Sequence, residues 1–174
     1  MEKRYDILRD RSRSDGGVYG LSLIETGYKV NFLDVNRDHV NAVKENGFRL
    51  SGIGKQKVYK INISENENDF KNSADVVLFH AHTTGTKSAA RSAATVLKPD
   101  GYAITLQNGI GNIEALSEVL GAKRVVGGIS YHSAALEDFG HVNHTNGDST
   151  FIGELDGTIS PRLKSLENVF QNAL

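Results

Sequence analysis

Strand-like and helix-like segments alternate at short intervals along most of this chain, and this alternation limits the folds that it can adopt. Residues 75–79 form a largely apolar run, which is typical of a parallel strand buried on both faces. Residues 87–97, which follow, are rich in alanine and predict a helix. The alternation continues to residue 129 and predicts an α/β fold with a doubly wound, mostly parallel sheet.

Apolar spacing, with glycine or proline at the ends of segments, predicts the other elements of this Rossmann-type sheet. Helices are predicted at 16–27, 37–45, 87–97, 113–120 and 161–174. Strands are predicted at 28–33, 48–50, 58–63, 75–79, 102–106 and 124–129. Beyond residue 129 the pattern changes, and 141–145 and 149–154 predict two strands joined by a Gly-Asp turn. We expect this pair to form a small antiparallel extension near the C-terminus.

The composition is that of one soluble globular domain over residues 1–174. The chain is 39% hydrophobic and 24% charged, which allows a sizeable core. A net charge of −1 argues against a nucleic-acid or membrane-surface partner. No apolar run has the roughly 18 residues that a membrane span needs, and no signal-peptide core follows Met1. Cysteine is absent, which excludes disulfides and thiolate chemistry. We therefore expect a cytoplasmic protein.

Residues 9–17 read Arg-Asp-Arg-Ser-Arg-Ser-Asp-Gly-Gly, where such a fold should have the end of its first strand and a glycine turn. That turn lets backbone N–H groups approach a dinucleotide's phosphates at a helix N-terminus. Arg11 and Arg13 stand at the first two glycine positions, and only Gly16 occupies the third. The segment is either a loop that binds no nucleotide or one whose side chains bind the phosphates directly. The candidate phosphate contacts are Arg11, Ser12, Arg13, Gly16 and Gly17.

A third interpretation concerns the gene. Codons that encode Arg9 to Gly16 can be chosen so that, read one base later, they give Val-Ile-Gly-Ala-Gly-Ala-Met-Gly. That peptide is an apolar strand end followed by a complete G-x-G-x-x-G turn. We therefore favour a one-base slip before Arg9 that is restored in the following glycine codons.

With that turn restored, the chain resembles the N-terminal domain of the ketopantoate reductases (2-dehydropantoate 2-reductases). The resemblance covers nearly all of the sequence, and two segments are more specific than a lone glycine motif. These segments are Leu-Gln-Asn-Gly-Ile-Gly at 106–111 and Ile-Gly-Glu-Leu-Asp-Gly at 152–157. Shorter matches lie at 16–20, 25–27, 45–47, 127–132 and 140–142.

The resemblance implies an oxidoreductase. The family reduces the ketone of 2-dehydropantoate with a nicotinamide cofactor, usually NADPH, in pantothenate biosynthesis. Its helical second domain supplies a lysine proton donor and a substrate-binding acid, and we expect that domain to lie outside this sequence. The expected partners are a small 2-oxo acid and a second copy of the chain in a homodimer. Residues 1–174 alone are expected to bind NADP or NAD without turnover.

Asp34 ends the second predicted strand, where an acid can accept hydrogen bonds from the ribose hydroxyls and disfavour a 2′-phosphate. Arg37 lies three residues further on and could instead bind that phosphate. The alternative is that Asp34 caps the helix that follows.

Asn108 follows the strand at 102–106, at the sheet edge where doubly wound folds bind ligands. Its amide can donate and accept hydrogen bonds. The resemblance implies that it contacts both the nicotinamide ribose and the substrate, which makes it our catalytic candidate. The alternative is a turn residue that tolerates the left-handed conformation.

His82 stands where the family usually has a lysine that holds cofactor and substrate. A mostly neutral histidine attracts a carboxylate less, so a different 2-oxo acid becomes a candidate substrate, and an ordinary loop histidine is the alternative. His80 and His82 have a spacing seen in metal sites, but no third ligand is evident. The resemblance implies that His132 and Ala134 lie near the nicotinamide, where we expect His132 to support the site by hydrogen bonding. His141 and His144 are expected near the exposed surface of a strand.

Two rival functions remain open. The altered loop, His82 and the short chain also fit a non-catalytic relative that binds a partner or nothing. Another dehydrogenase with the same cofactor domain, of the polyol-phosphate or opine type, is compatible with Asp34-Val-Asn36.

Overall fold

A computed structural model describes the backbone of residues 6–10 and, with side chains, residues 15–54, 56–80 and 85–173. Within these ranges the α-helices are α1 (Asp15–Glu25), α2 (Arg37–Asn46), α3 (Thr86–Val96), α4 (Asn112–Leu120) and α5 (Pro161–Ala173). The strands are β1 (Asp6–Asp10), β2 (Lys29–Leu33), β3 (Phe48–Gly52), β4 (Lys57–Tyr59), β5 (Asn62–Ser64), β6 (Ala74–Phe79), β7 (Leu97–Thr105), β8 (Val125–Ser130), β9 (Ser133–Asp138), β10 (His141–Asn146) and β11 (Thr150–Glu154).

The larger sheet confirms the predicted α/β architecture. Over the described residues its strand order is β11-β8-β7-β6-β1-β2-β5. Neighbouring strands run parallel throughout, except that β11 is antiparallel to β8 at one edge. Because parallel strands end at the same edge of a sheet, the segments after β2, β6, β7 and β8 meet there.

Both faces of this sheet are covered. Along β6, Val76 and Leu78 belong to one apolar cluster, with side chains of α1, α2 and α5. Val77 and Phe79 belong to a second cluster, with side chains of α3 and α4. This alternation has the period of two that a strand imposes, and it explains why residues 76–79 of β6 are all apolar.

Strand β1 lies inside the larger sheet, between β6 and β2. Its backbone places Arg9 opposite Phe32 and Leu78, and Asp10 opposite Leu33 and Phe79. The charged segment thus occupies the position that the sequence predicts for the first strand. Residues 11–14, the centre of the altered turn, lie outside the described residues.

The predicted antiparallel extension near the C-terminus is confirmed, since β10 and β11 each have an antiparallel neighbour, but the two strands do not pair with each other as predicted. Strand β10 belongs to a second sheet, of order β4-β3-β10-β9, whereas β11 lies in the larger sheet. Strand β10 pairs with β3 and with β9, which the sequence analysis missed. Glycines 127 and 128 of β8 let β11 approach closely, since a Cβ on Gly128 would lie 2.6 Å from the carbonyl oxygen of Phe151.

The single strand predicted at 58–63 is also wrong, because the chain changes sheets within it. Tyr59 in β4 pairs with Phe48 of the small sheet, and Ile63 in β5 pairs with Phe32 of the larger sheet. Both side chains are buried, so each half is fixed by its own apolar contact. None of the described helices is both long and apolar enough to cross a membrane.

Candidate functional site

The candidate site lies at the carboxyl edge of the larger sheet. Asp34 follows β2, His80 follows β6, Asn108 follows β7 and His132 follows β8. Gly16 and Gly17 lie in the first turn of α1 and are buried. Four predicted site residues, Arg11, Ser12, Arg13 and His82, lie outside the described residues.

Asp34 is fully buried and shapes the turn from β2 into α2. Its Oδ1 accepts a hydrogen bond from the backbone N–H of Asn36, at 2.9 Å. The cap of α2 is Asn36, whose side chain accepts from the N–H of His39. The alternative in which Asp34 caps the helix is therefore wrong.

Arg37 is exposed and pairs with Glu65, with Nη2 2.9 Å from Oε1. Its Nε donates to both oxygens of the same carboxylate at 3.2 Å. The Glu65 carboxylate raises the pKa of Arg37, and the guanidinium lowers the pKa of Glu65. A 2′-phosphate would compete with Glu65 for this cation.

Asn108 is exposed in the loop between β7 and α4. The turn there uses glycines for its left-handed positions, Gly109 at φ +97° and Gly111 at φ +91°. Asn72 is the non-glycine residue with positive φ in the described part of the chain, so the alternative that Asn108 serves as a left-handed turn residue is wrong. Asn108 borders a cavity of about 450 Å³ that residues 105–114, Gly128 and Ile129 line.

Buried polar side chains hold this loop in place. Thr86, at the start of α3, donates to Oδ1 of Asn112 at 2.8 Å and accepts from Nε2 of Gln107 at 2.9 Å. Nδ2 of Asn112 donates to the carbonyl oxygen of Asn108 at 3.0 Å. Oε1 of Gln107 accepts from the Thr105 hydroxyl at 3.0 Å.

His132 is buried beside a second histidine. Its Nδ1 lies 3.2 Å from Nε2 of His144, and the two rings are stacked. Burial lowers the pKa of His132, with a smaller lowering by His144 and opposing contributions from Asp148 and Asp15. The lowered pKa favours the neutral form of the His132 imidazole.

The placement predicted for His141 and His144 is wrong. Both side chains are half-buried between strands. Nε2 of His141 is 2.8 Å from the Ser51 hydroxyl, which joins β10 to β3. His144 instead joins β10 to the segment after β8 through His132.

Sequence reasoning did not identify two contacts that assemble the site around α1. The Tyr19 hydroxyl donates to Ser130 Oγ at 2.7 Å, and the Tyr19 ring packs on His80 and His132. Asp15 accepts from the backbone N–H of Ala134 at 2.7 Å. Neither contact leaves a local sequence signal, since each joins residues more than 50 positions apart. Over the described residues, no group of three or more His, Cys, Asp or Glu side chains could hold a metal.

The fold and this edge define a Rossmann-type α/β domain. Comparison with known proteins gives the family: the model described as Ketopantoate reductase PanE/ApbA matches residues 14–157. The chain belongs to the ketopantoate reductase family.

Relatives and solved structures agree with this assignment. The 2-dehydropantoate 2-reductase of Archaeoglobus fulgidus is 30% identical over 158 residues, which cover 91% of this chain and 50% of the relative. The crystal structure of 2-dehydropantoate 2-reductase from Geobacter metallireducens GS-15 has a TM-score of 0.89 at 25% identity and covers 97% of this chain and 55% of that chain. D-mandelate dehydrogenase, in a ternary structure with NADH and anilino(oxo)acetate, has the same fold, with a TM-score of 0.87 at 20% identity over 97% of this chain and 54% of that one. The chain spans about half the length of the curated relatives that it matches.

Proposed function

We propose that residues 1–174 form the dinucleotide-binding domain of an enzyme that resembles 2-dehydropantoate 2-reductase, with a helical catalytic domain outside this sequence. The observation that carries the proposal is the placement of Asn108, exposed beyond the carboxyl end of β7 on an anchored loop. The complete enzyme would transfer a hydride to the carbonyl carbon of a small 2-oxo acid. Family membership favours this function over a polyol-phosphate or opine dehydrogenase.

The residues at the sheet edge fit a nicotinamide dinucleotide in two respects. Gly16 and Gly17 open α1 without side chains, which suits a diphosphate at the helix N-terminus. The Asp34 carboxylate follows β2 at the carboxyl edge of the sheet, and a carboxylate is an acceptor that suits ribose hydroxyls. Asp15 acts against the fit, because its carboxylate places negative charge at the same helix N-terminus.

The bound cofactor would supply the hydride, and the protein would supply placement and charge. Asn108 would donate to and accept from the nicotinamide ribose and the substrate oxygen. His132, whose neutral form is favoured, would support the edge after β8 through its hydrogen bonds. A lysine from the catalytic domain would protonate the oxygen that becomes the product hydroxyl.

We expect NADH to bind more tightly than NADPH. A 2′-phosphate near Asp34 would meet a like charge. Arg37, the cation that could attract this phosphate, is paired with Glu65.

Isothermal titration of the chain with NADH and with NADPH tests this function. Asn108→Ala should weaken NADH binding about tenfold, which corresponds to the loss of one or two hydrogen bonds. Asn172→Ala, an exposed change near the end of α5, is the matched control and should leave the affinity unchanged. Tighter binding of NADPH would contradict the cofactor preference. A folded chain that binds neither dinucleotide would support a non-catalytic relative that binds a partner.

A further inference from the structure

We propose that Thr86, Gln107 and Asn112 are positioning residues that hold Asn108 in the orientation needed to contact the cofactor. The inference rests on the proposed role of Asn108 and adds the residues through which the fold controls it. None of the three is assigned a contact with the substrate or the cofactor.

The three residues form a continuous hydrogen-bond relay that begins and ends at the same loop. The Thr105 hydroxyl donates to Gln107, and the Gln107 amide donates to Thr86. The Thr86 hydroxyl donates to Asn112, and the Asn112 amide donates to the carbonyl oxygen of Asn108. The relay thus runs from the end of β7 through α3 and returns to the loop.

The direction of the relay fixes the orientation of both amides. A threonine hydroxyl has one hydrogen, and Thr86 uses it towards Oδ1 of Asn112. Nδ2 of Asn112 must then point to Asn108, and the hydroxyl oxygen of Thr86 is left to accept from Gln107. Rotating either amide by 180° would bring two acceptors or two donors together, so the relay admits one arrangement.

Burial makes this arrangement costly to break. Thr86 is 1% exposed, Thr105 2% and Asn112 3%. A buried polar group that loses its partner costs about 1–3 kcal/mol. Asn108 itself is exposed, and the bond from Asn112 to its carbonyl oxygen ties it to the buried relay.

The side chain of Asn112 lies where it could instead have satisfied N–H groups at the start of α4. It is the first residue of α4, and the cap of that helix is Gly111, which has no side chain to satisfy the helix N–H groups. Asn112 nevertheless directs its amide back to the carbonyl oxygens of Asn108, at 3.0 Å, and Gly109, at 3.5 Å. The side chain is therefore used to hold the loop.

The first experiment needs no cofactor. Backbone amide exchange and ¹⁵N relaxation of residues 107–111 are measured in wild type, Thr86→Val and Asn112→Asp. Thr86→Val removes the hydroxyl at nearly constant volume, and Asn112→Asp keeps the acceptor for Thr86 but removes the donor to Asn108. Both variants should speed exchange in this segment about tenfold, and Thr86→Ser should restore wild-type behaviour.

Val119→Ala, at the far end of α4, is the matched control for general destabilisation. It removes packing from the second apolar cluster and should lower the thermal midpoint without loosening residues 107–111. If Thr86→Val and Asn112→Asp leave exchange in residues 107–111 at the wild-type rate, the positioning role is wrong, whatever the chain binds.

The second experiment is a double-mutant cycle on NADH affinity. Thr86→Val and Asn108→Ala should each weaken binding about tenfold, and the double variant should be no weaker than Asn108→Ala. Additive losses would show that Thr86 does not act through Asn108 and would overturn the proposal. Thr86→Val and Asn112→Asp could loosen residues 107–111 while Asn108→Ala leaves the NADH affinity unchanged. That result would support the positioning role of the relay and refute the proposed role of Asn108 in cofactor binding.

Discussion

Glu154→Gln should lower the stability of the domain markedly, because Glu154 joins β11 to the start of α5. Its carboxylate accepts from Nε of Arg162 at 2.7 Å, from Nη2 of Arg162 at 2.5 Å and from the Ser160 hydroxyl at 2.5 Å. Ser160 Oγ in turn accepts from the N–H of Leu163, in the first turn of α5. This geometry gives a structural role to the acid in the Ile-Gly-Glu-Leu-Asp-Gly segment.

The burial of the Glu154–Arg162 ion pair determines how much stability Glu154→Gln should remove. The Glu154 side chain is 7% exposed and that of Arg162 28%. Breaking a fully buried ion pair by removing one partner costs about 3–5 kcal/mol. Because Arg162 retains some solvent contact and bonds to the Lys123 carbonyl oxygen, we expect a loss of about 2–3 kcal/mol. For a chain of this size the thermal midpoint should fall by about 5–10 °C at pH 7.

Thermal unfolding followed by circular dichroism at pH 7 and pH 3 measures the effect. Hydrogen bonds from Arg162 lower the pKa of Glu154 below its ordinary value of 4.5, against an opposing effect of burial. The stabilisation by the ionised carboxylate is therefore fully present above pH 4.5 and is lost as the pH falls through the lower folded-state pKa. The difference between wild type and Glu154→Gln should shrink accordingly at pH 3.

Glu118→Gln is the control, because its ion pair with Lys87 is 62% exposed on both sides and should contribute nothing measurable. A midpoint for Glu154→Gln within 1 °C of wild type at pH 7 would refute the reasoning. A difference of the same size at pH 3 would show that the carboxylate charge is not its cause.

Three further predictions concern α1 and the segment before it. Gly20→Ala should lower the thermal midpoint, because the added Cβ would overlap the fully buried ring of Phe32. The overlap should cost about 1–3 kcal/mol, which exceeds the helix-propensity gain of about 1 kcal/mol. An unchanged or raised midpoint would contradict the overlap. Asp15→Asn keeps an acceptor for Ala134 and removes a negative charge, so NADH affinity measured by titration should rise about threefold to tenfold, and a fall would refute the repulsion. Peptide sequencing of protein made from its own gene should find small apolar residues and glycines within 9–17, whereas Arg-Ser-Arg-Ser in the peptide would disprove the one-base slip.

The sequence predicted the larger sheet because its strands obey local rules. In β6 and in the second half of β7, residues 101–105, nearly every residue is buried, so an apolar run identifies the strand without knowledge of its neighbours. The second sheet has no such signal. Strand β9 reads Ser-Ala-Ala-Leu-Glu-Asp and is mostly exposed, and β3 finds its partner β10 about 90 residues further along the chain. Such pairings depend on the assembled fold and not on local propensity.

For the candidate site, too, the sequence predicted the positions of residues but not the hydrogen bonds between distant segments. Strand ends gave the positions of Asp34 and Asn108 at the sheet edge, since topology brings these ends together, whereas the position of His132 was implied by the family resemblance. The hydrogen bonds that orient them join distant segments, as Thr86 does with Asn112 and as Asp15 does with Ala134. The glycine at 109 illustrates the limit: an Asn-Gly pair predicts a turn, but only the structure assigns the left-handed position to Gly109 and leaves Asn108 in an ordinary conformation.

The anomaly of the first turn is confined to a short segment. The backbone of β1 occupies an interior position of the sheet, between β6 and β2, and the match to the family begins at residue 14. Asp15 lies just inside that match and acts against phosphate binding at the helix N-terminus. The shifted reading frame replaces Arg9, Asp10, Arg11, Arg13 and Asp15 together with apolar residues and glycines. One slip and its restoration would therefore account for the charged residues at the end of strand β1, for the missing glycines and for the acid that opposes a diphosphate, which would otherwise need a separate substitution at each position.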